Sequence, residues 1–565
     1  MSHKLCLFVL IALLAGGTAR GDSLAELSDS FWAFRAHEQP LSDDDIPRLE
    51  RPKDFAVSWT ARDVADRIAT LQVFEQRLSL VAPPPDAPVH DQVNYRLLGS
   101  AIARVRWELV VQQAWRRDPL FYVFQSLGSV YALLLQPPPF SDARQHDLVA
   151  RMHDIPTTLA AAKQNLDDLR APFAELAITA LDGIADRVAR MEAALAPQLA
   201  AKHNQALRTA TPAALAALGD YRAWLQTKLP SARADTAIGR DNYLYFLRNV
   251  ALMPYSPEEL RAMSRQEWAR SVEFEAYQHE RLAGSPPPAI FPNVDAQIEA
   301  ERLQEVKIRQ YLVEHRILSV PDWLQHYRNR LLPDYLEPVQ GLGETDDLTG
   351  PSRLDQDGTS YIRNPRADLG FFYLSTARDP RPIIVHEGVP GHYFQLALGW
   401  HQADPIRRHY YDSSANEGIG FYAEEMMLQS GLFDDNAQTR ATIYSFMRLR
   451  ALRVEVDVKL ALGEFTIRQA ADYLERTVPM DRATAIQEAA RFASLPGQAI
   501  SYQIGKLQIT QLLADVRRAQ GKDFSLLKFH DFVWNNGNVP LSLQRWELLG
   551  DASDVPTLAP PGPAR

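Results

Sequence analysis

The sequence predicts a mainly α-helical, two-lobed body with a substrate cleft, on three observations. Apolar residues recur at three- and four-residue steps through segments 24–38, 61–80, 90–115 and 145–200, as in Val64, Ile68, Leu71, Phe74 and Leu78. The breaks between such segments are proline runs, Ala82-Pro83-Pro84-Pro85 and Gln136-Pro137-Pro138-Pro139, where the ring removes a donor and clashes with the preceding turn. The length, 565 residues, calls for more than one domain or a single large two-lobed body. The run Gly284-Ser285-Pro286-Pro287-Pro288 marks a loop between an N-terminal lobe, 22–284, and a C-terminal lobe, 285–565, which are expected to share one core and one cleft.

The chain opens with a basic Met1–Lys4, an apolar run from Leu5 to Ala15, and small residues at Gly16, Gly17, Ala19 and Gly21. That is the pattern of a secretory signal peptide over 1–21, so the mature protein is expected to be exported, periplasmic or secreted, without stable membrane insertion. The run is shorter than the ~20 residues of a membrane span. The single cysteine, Cys6, lies inside it without the small residue that precedes a lipid-attachment site. The mature chain then has no thiolate, and any metal site must use His and carboxylate. A net charge of -10 argues against nucleic-acid binding.

Strand signals are sparse. The best is Gly370-Phe371-Phe372-Tyr373-Leu374-Ser375, aromatic and bounded by Gly and Ser. It predicts a small edge β-sheet near the metal motif, to which an extended substrate adds, with Tyr373 as a substrate-binding candidate. A buried strand or a helical turn is the competing reading.

The chemistry concentrates in His386-Glu387-Gly388-Val389-Pro390-Gly391-His392 and in Asn416-Glu417-Gly418. Two histidines around a glutamate, with a second glutamate on a later helix, form the residue set that holds a zinc ion and activates a water beside it. The familiar four-residue spacing puts both histidines on one helix face. Here they are six apart, about 240° around an ideal helix. A distorted turn at Pro390-Gly391 is needed to bring His392 back beside His386. Glu417 has a rival reading: Ser414-Ala415-Asn416-Glu417 fits a capping box ahead of a helix with Phe421, Met426 and Leu428 on its apolar stripe and Gly431 at its end. Cap and ligand stay open on the residues alone, and Glu424, on the same face, is the spare ligand or an outer partner.

The string HEGVPGHYFQ resembles the H-E-x-x-P-G-H-x-x-Q signature of domain-of-unknown-function family 885 (DUF885), a group related to the gluzincin metallopeptidases. The resemblance continues through Asn416-Glu417-Gly418 and Tyr422-Ala423-Glu424, through Pro496-Gly497-Gln498-Ala499-Ile500-Ser501-Tyr502, and through Phe529-His530-Asp531 and Gly537-Asn538-Val539-Pro540-Leu541. The blocks occur in the family's order and cover most of the mature chain. Two positions depart from it: Ile419 replaces a tryptophan, and Asp457 is followed by Ala461 where a histidine is usual. The resemblance implies a thimet-oligopeptidase-like body with one zinc ion at the floor of a deep cleft. It implies His386, His392 and Glu417 as zinc ligands and Glu387 as general base.

The expected reaction is peptide hydrolysis: Glu387 takes a proton from the attacking water and passes it to the leaving amine. Tyr502 is the candidate donor to the carbonyl oxygen as charge builds there, against simple packing in a helix. Lys506, one turn on, is a candidate for a substrate carboxylate, against a solvated surface lysine. His530 beside Asp531 is either a further charge stabiliser or a structural pair. Polarising a carbonyl does not itself choose peptide over ester, so a zinc amidase or esterase is the alternative, and an inactive periplasmic peptide-binding protein is another.

Overall fold

The helical periodicity is realised to the residue at 24–38 and 61–80 and is broken into shorter helices in the two later segments. In the computed structural model, which describes residues 23–42, 49–52, 55–56, 58–478 and 480–561, the first helices are α1 (Leu24–Glu38) and α2 (Ala61–Leu80). Each begins with a reciprocal cap, Ser23 with Glu26 and Thr60 with Asp63, which satisfies two orphan N–H groups at once. The signal peptide expected at 1–21 lies outside the described residues. Helix α3 (Val89–Arg106) ends earlier than its apolar pattern suggests: it passes into a π-helical stretch, Trp107–Gln112, and stops where Gln113 turns left-handed. The region 145–200 is three helices, α4 (Asp142–Asn165), α5 (Ala171–Ala180) and α6 (Ile184–Leu195), followed by α7 (Ala201–Lys228).

Helix α8 (Pro257–Arg281) starts with Ser256 capping Glu259 and proline at its first turn, and α9 (Val294–Glu314) follows. Between them the Gly284–Pro288 run is a loop, as its prolines require. The packing does not divide there. Helix α8 lies along α13 (Ala437–Leu462), near the other end of the chain, and Ser264 donates its hydroxyl to Ala451 O at 2.6 Å. The main apolar core of helices α1–α7 also takes in Leu332, Tyr335, Tyr361, Tyr410 and Val539. The two halves therefore share buried surface.

The molecule is mainly α, with one three-stranded sheet ordered β1-β3-β2: β1 (Tyr327–Leu331), β2 (Asp346–Asp347) and β3 (Gly358–Ile362). Strand β3 pairs parallel to β1, Tyr327 opposite Gly358, and antiparallel to β2. The segment expected as a strand, 370–375, is instead helix α10 (Phe371–Arg378), with Gly370 at its N-cap. Phe371 and Phe372 both pack on Phe446, with ring centroids 5.5 and 5.7 Å away. Consecutive side chains of a strand point to opposite faces, so this shared contact requires helical geometry. A small sheet does stand beside the histidine motif, built from other residues: the Tyr327 ring covers Gly388, where an added Cβ would meet it at 2.6 Å.

Four helices complete the surroundings of the motif: α11 (His392–Trp400), α12 (Ser413–Ser430), α14 (Ser501–Gln520) and α15 (Leu526–Asn535). Helices α12 and α14 touch backbone to backbone, since a Cβ on Gly418 would lie 2.7 Å from Gly505 Cα. Among the described residues no single helix is long and apolar enough to cross a membrane.

Candidate metal centre

The six-residue spacing of the histidines is resolved by a break between two helical pieces. Ile384–Gly388 is one π-helical turn, closed by Val389 N donating to Ile384 O at 2.9 Å. The Val389–Pro390 peptide is cis, and α11 starts afresh at His392, where Gln395 N donates to Gly391 O at 3.0 Å. Two helical axes meet, and the imidazoles converge with centroids 4.7 Å apart at 79°. Only glycine fits at 391, because a Cβ there would sit 1.7 Å from His386 O. Trp534 on α15 pins the turn by donating its indole N–H to Pro390 O at 2.7 Å.

Helix α12 carries the glutamates. Its N-cap is Asp412, which accepts from Ala415 N at 3.1 Å, so the capping-box reading of Ser414 and Glu417 fails. Glu417 lies more than a turn inside the helix, where no orphan N–H remains for it to cap. Its carboxylate, 1% exposed, instead faces the histidines, with Oε2 3.2 Å from His392 Nε2 and 3.9 Å from His386 Nε2. Donors sharing a four-coordinate ion at ~2.0–2.2 Å stand about 3.3–3.5 Å apart, so this triad is close to ligand spacing.

The surroundings direct both rings toward that point. Glu424, two turns along α12, holds Nδ1 of His386 at 2.7 Å, and Arg450 Nη2 lies 3.0 Å from the same carboxylate oxygen. Burial pushes the Glu424 pKa up to about 7, with Arg450 the first of the nearby cations opposing it. We assign the carboxylate form, accepting from Nδ1–H and leaving the Nε2 lone pair of His386 on the Glu417 side. On His392 the buried Nδ1 meets no hydrogen-bonding partner among the described residues, so the polar chemistry of that ring is concentrated on Nε2. Gly420, one turn after Glu417, leaves room for both rings: a Cβ there would lie 2.7 Å from His392 Cε1 and 3.2 Å from His386 Cε1. A donor set of two imidazoles and one buried carboxylate fits a zinc ion.

Glu387 is placed differently. Its oxygens lie 4.0 Å from Nε2 of each histidine, and one donor atom from each of His386, Glu387 and His392 falls within 4.8 Å of the others. Distance alone barely separates it from Glu417; exposure does, since its side chain is 31% exposed against 1%. Desolvation by the surrounding protein pushes its pKa up to about 8, opposed by His392 and reinforced by Asp346, Glu344 and Glu417. Tyr502 on α14 completes the site, its ring parallel to that of His386 within 8° at 6.2 Å, with the guanidinium of Arg453 4.7 Å from its ring centre.

Three expected substrate contacts are elsewhere engaged. Lys506 is neither solvated nor open to a ligand: 1% exposed, its ammonium sits 2.6 Å from Glu425 and 3.2 Å from Glu267. His530 is fully buried between Ile317 O at 2.8 Å from Nδ1 and Tyr422 Oη at 3.0 Å from Nε2. Its neighbour Asp531 does not pair with it, accepting instead from Ser319 N and Oγ at 2.9 and 2.8 Å. Tyr373 lies on α10 with the Arg363 guanidinium 4.4 Å from its ring centre.

Other residues of the site escape a sequence reading. Arg450 has no local signature, since it reaches Glu424 from a different helix. Gly420 does leave a trace, because a glycine inside a helix costs about 1 kcal/mol against alanine and so points to a packing demand. Gln395 joins the motif blocks: it accepts from Asn416 Nδ2 at 2.6 Å and donates to Asn538 Oδ1 at 3.0 Å. Asp457 accepts from Tyr243 Oη at 2.8 Å, from Gly497 N at 3.0 Å and from Ala499 N at 3.2 Å, anchoring the turn that leads to Tyr502.

Two solved structures share the fold. One, provisionally assigned as a lipoprotein of unknown function from Shewanella oneidensis, is 18% identical with a TM-score of 0.69, over 94% of this chain and 100% of the other. The second, provisionally a lipoprotein from Colwellia psychrerythraea, is also 18% identical, with a TM-score of 0.74 over 93% of this chain and 98% of the other. No curated protein matches the sequence significantly. The family model for bacterial proteins of unknown function, DUF885, matches residues 51–548, and with so much of its length covered the chain belongs to that family.

Proposed function

We propose that this protein is an exported zinc-dependent peptidase of gluzincin type, with a thimet-oligopeptidase-like cleft. The observation that carries the reading is the convergence of His386 Nε2, His392 Nε2 and Glu417 Oε2 from three separate helical segments. Those three residues would hold the ion. A zinc ion there would lower the pKa of a water toward ~7, polarise a carbonyl oxygen and oppose the burial and neighbouring carboxylates that raise Glu387.

The rest of the chemistry belongs to the chain. Glu387, the acid with access to the cleft, takes the proton of the attacking water and delivers it to the leaving amine. Tyr502 donates a hydrogen bond to the carbonyl oxygen as negative charge develops. Glu424 and Arg450 fix the ring of His386, and Gln395 with Asn416 and Asn538 ties the helices that carry the donors. Export is supported by the apolar, small-residue N-terminal pattern and by the lipoprotein assignment of both structural relatives.

The test pairs metal analysis with Glu387→Gln. The purified protein is expected to carry one zinc per chain and to cleave members of a peptide library. Glu387→Gln is expected to keep the zinc and the melting temperature while activity falls by several orders of magnitude. Absence of stoichiometric zinc, or full activity in Glu387→Gln, overturns the reading. Cleavage of esters but not peptides transfers it to the esterase alternative.

A further inference from the structure

A cavity of about 690 Å³ opens between α8, α10 and α13, and it contains none of the candidate metal ligands. Its size is that of a small-molecule site. Its walls include the apolar side chains of Phe371, Leu374 and Phe446. Among the described residues, three of its polar lining groups have no hydrogen-bond partner although buried: Arg378 Nε, Arg448 Nε and Ser445 Oγ. Ser445 is 7% exposed, and Arg378 makes no hydrogen bond or ion pair among the described residues.

The acids that line the same cavity are already matched. Glu275 lies 3.1 Å from Arg448 Nη1; Asp379 is held by Arg381 at 2.7 Å and Thr439 Oγ1 at 2.6 Å; Asp481 accepts from Thr484 N and Oγ1 at 2.9 and 2.7 Å. What is left over is therefore donors: two guanidinium N–H groups and a hydroxyl. Buried donors without partners are costly, and a charge-assisted bond to a carboxylate is among the strongest remedies.

We propose that this cavity is a binding site for a ligand with an apolar body and a carboxylate, the carboxylate taken by Arg378 with Arg448 and Ser445, the body packed on Phe371, Leu374 and Phe446. The site stands behind the metal centre. Phe446 lies 5.5 Å beneath the guanidinium of Arg450, which holds Glu424 against His386. It does not depend on metal or on peptidase activity. The carboxylate has two sources, the carboxyl terminus of a peptide or a free apolar acid.

Calorimetric titration of the full chain with N-acetylphenylalanine, with Gly-Gly-Phe, and with the carboxamide of each tests the site. At least one acid is expected to bind, with amidation weakening it ten-fold or more. Arg378→Gln is expected to reduce the acid to the level of its amide, and Arg378→Lys to restore part of the difference. Stripping metal with a chelator is expected to leave this binding intact. Binding of the tripeptide acid identifies a peptide carboxyl terminus; binding of N-acetylphenylalanine alone identifies a free acid. The proposal falls if neither acid binds, if amides bind as well as acids, if a folded Arg378→Gln protein binds undiminished, or if binding disappears with the metal. The acid-to-amide comparison needs no variant, so a misfolded substitution does not shelter the idea.

Discussion

Glu424 Oε1 lies 2.7 Å from Nδ1 of His386, on the opposite side of the ring from Glu417. One imidazole is thus gripped between two carboxylates of the same helix, seven residues apart. The inner one faces the second histidine, and the outer one fixes the ring. This arrangement separates two glutamates that look equivalent in the sequence.

The grip predicts the behaviour of Glu424→Gln. The amide fills the same volume but no longer carries the negative charge opposite Nδ1–H. Zinc affinity, measured by competition with a chromogenic chelator, is expected to fall about 10- to 100-fold. An unchanged affinity would show that Glu424 does not orient the ring.

Gly420→Ala tests the space between the rings. The new Cβ would lie 2.7 Å from His392 Cε1 and 3.2 Å from His386 Cε1, and both rings are held by the turns that carry them. Stoichiometric zinc is expected to be lost while far-ultraviolet circular dichroism stays that of the parent, since alanine favours the helix by about 1 kcal/mol. Retained zinc with retained spacing would mean that the rings yield easily.

Lys506→Met separates a structural lysine from a substrate contact. Removing the ammonium leaves Glu425 and Glu267 with Arg270 as their remaining cation, at 2.9 and 2.7 Å. Breaking a buried ion cluster on one side typically costs about 3–5 kcal/mol. Denaturant unfolding is expected to show a loss of that order, while zinc content in the folded protein holds. Unchanged stability with raised KM would return Lys506 to the substrate.

His530 gives a dependence on pH. Burial pushes its pKa down to about 4 from the ordinary 6.5, with the Ile317 carbonyl and Asp531 pulling the other way. The folded protein therefore binds the proton less readily than the unfolded chain does. Stability from this residue is complete above pH 6.5 and is lost progressively as pH falls from 6.5 to 4, by at most about 3 kcal/mol. Unfolding curves between pH 7 and 4 are expected to be less steeply pH-dependent for His530→Gln than for the parent. Parallel curves would show that His530 does not titrate on unfolding.

Much of the helical frame was legible because it is local. Ser23 with Glu26 and Thr60 with Asp63 specify their helix starts within four residues, and the apolar stripe of α2 runs at a helical period. The histidine pair was legible as chemistry, since His, Glu and His are metal donors and the one cysteine, Cys6, stands far from them in the sequence. Where local pattern is ambiguous, reading failed. Phe371 and Phe372 are apolar enough for either a strand or a helix, and only their common contact with Phe446 chooses.

By itself, then, the sequence determined the helical class, the family blocks and the identity of the metal-donor candidates, because these rest on periodicity, capping and side-chain chemistry within short stretches. Tertiary structure alone decided that Glu417 faces the histidines, that Glu424 and Arg450 stand behind His386, and that Lys506 and His530 are buried in pairs and networks of their own. Those outcomes depend on which helices cross, a property of contacts between residues tens to hundreds of positions apart.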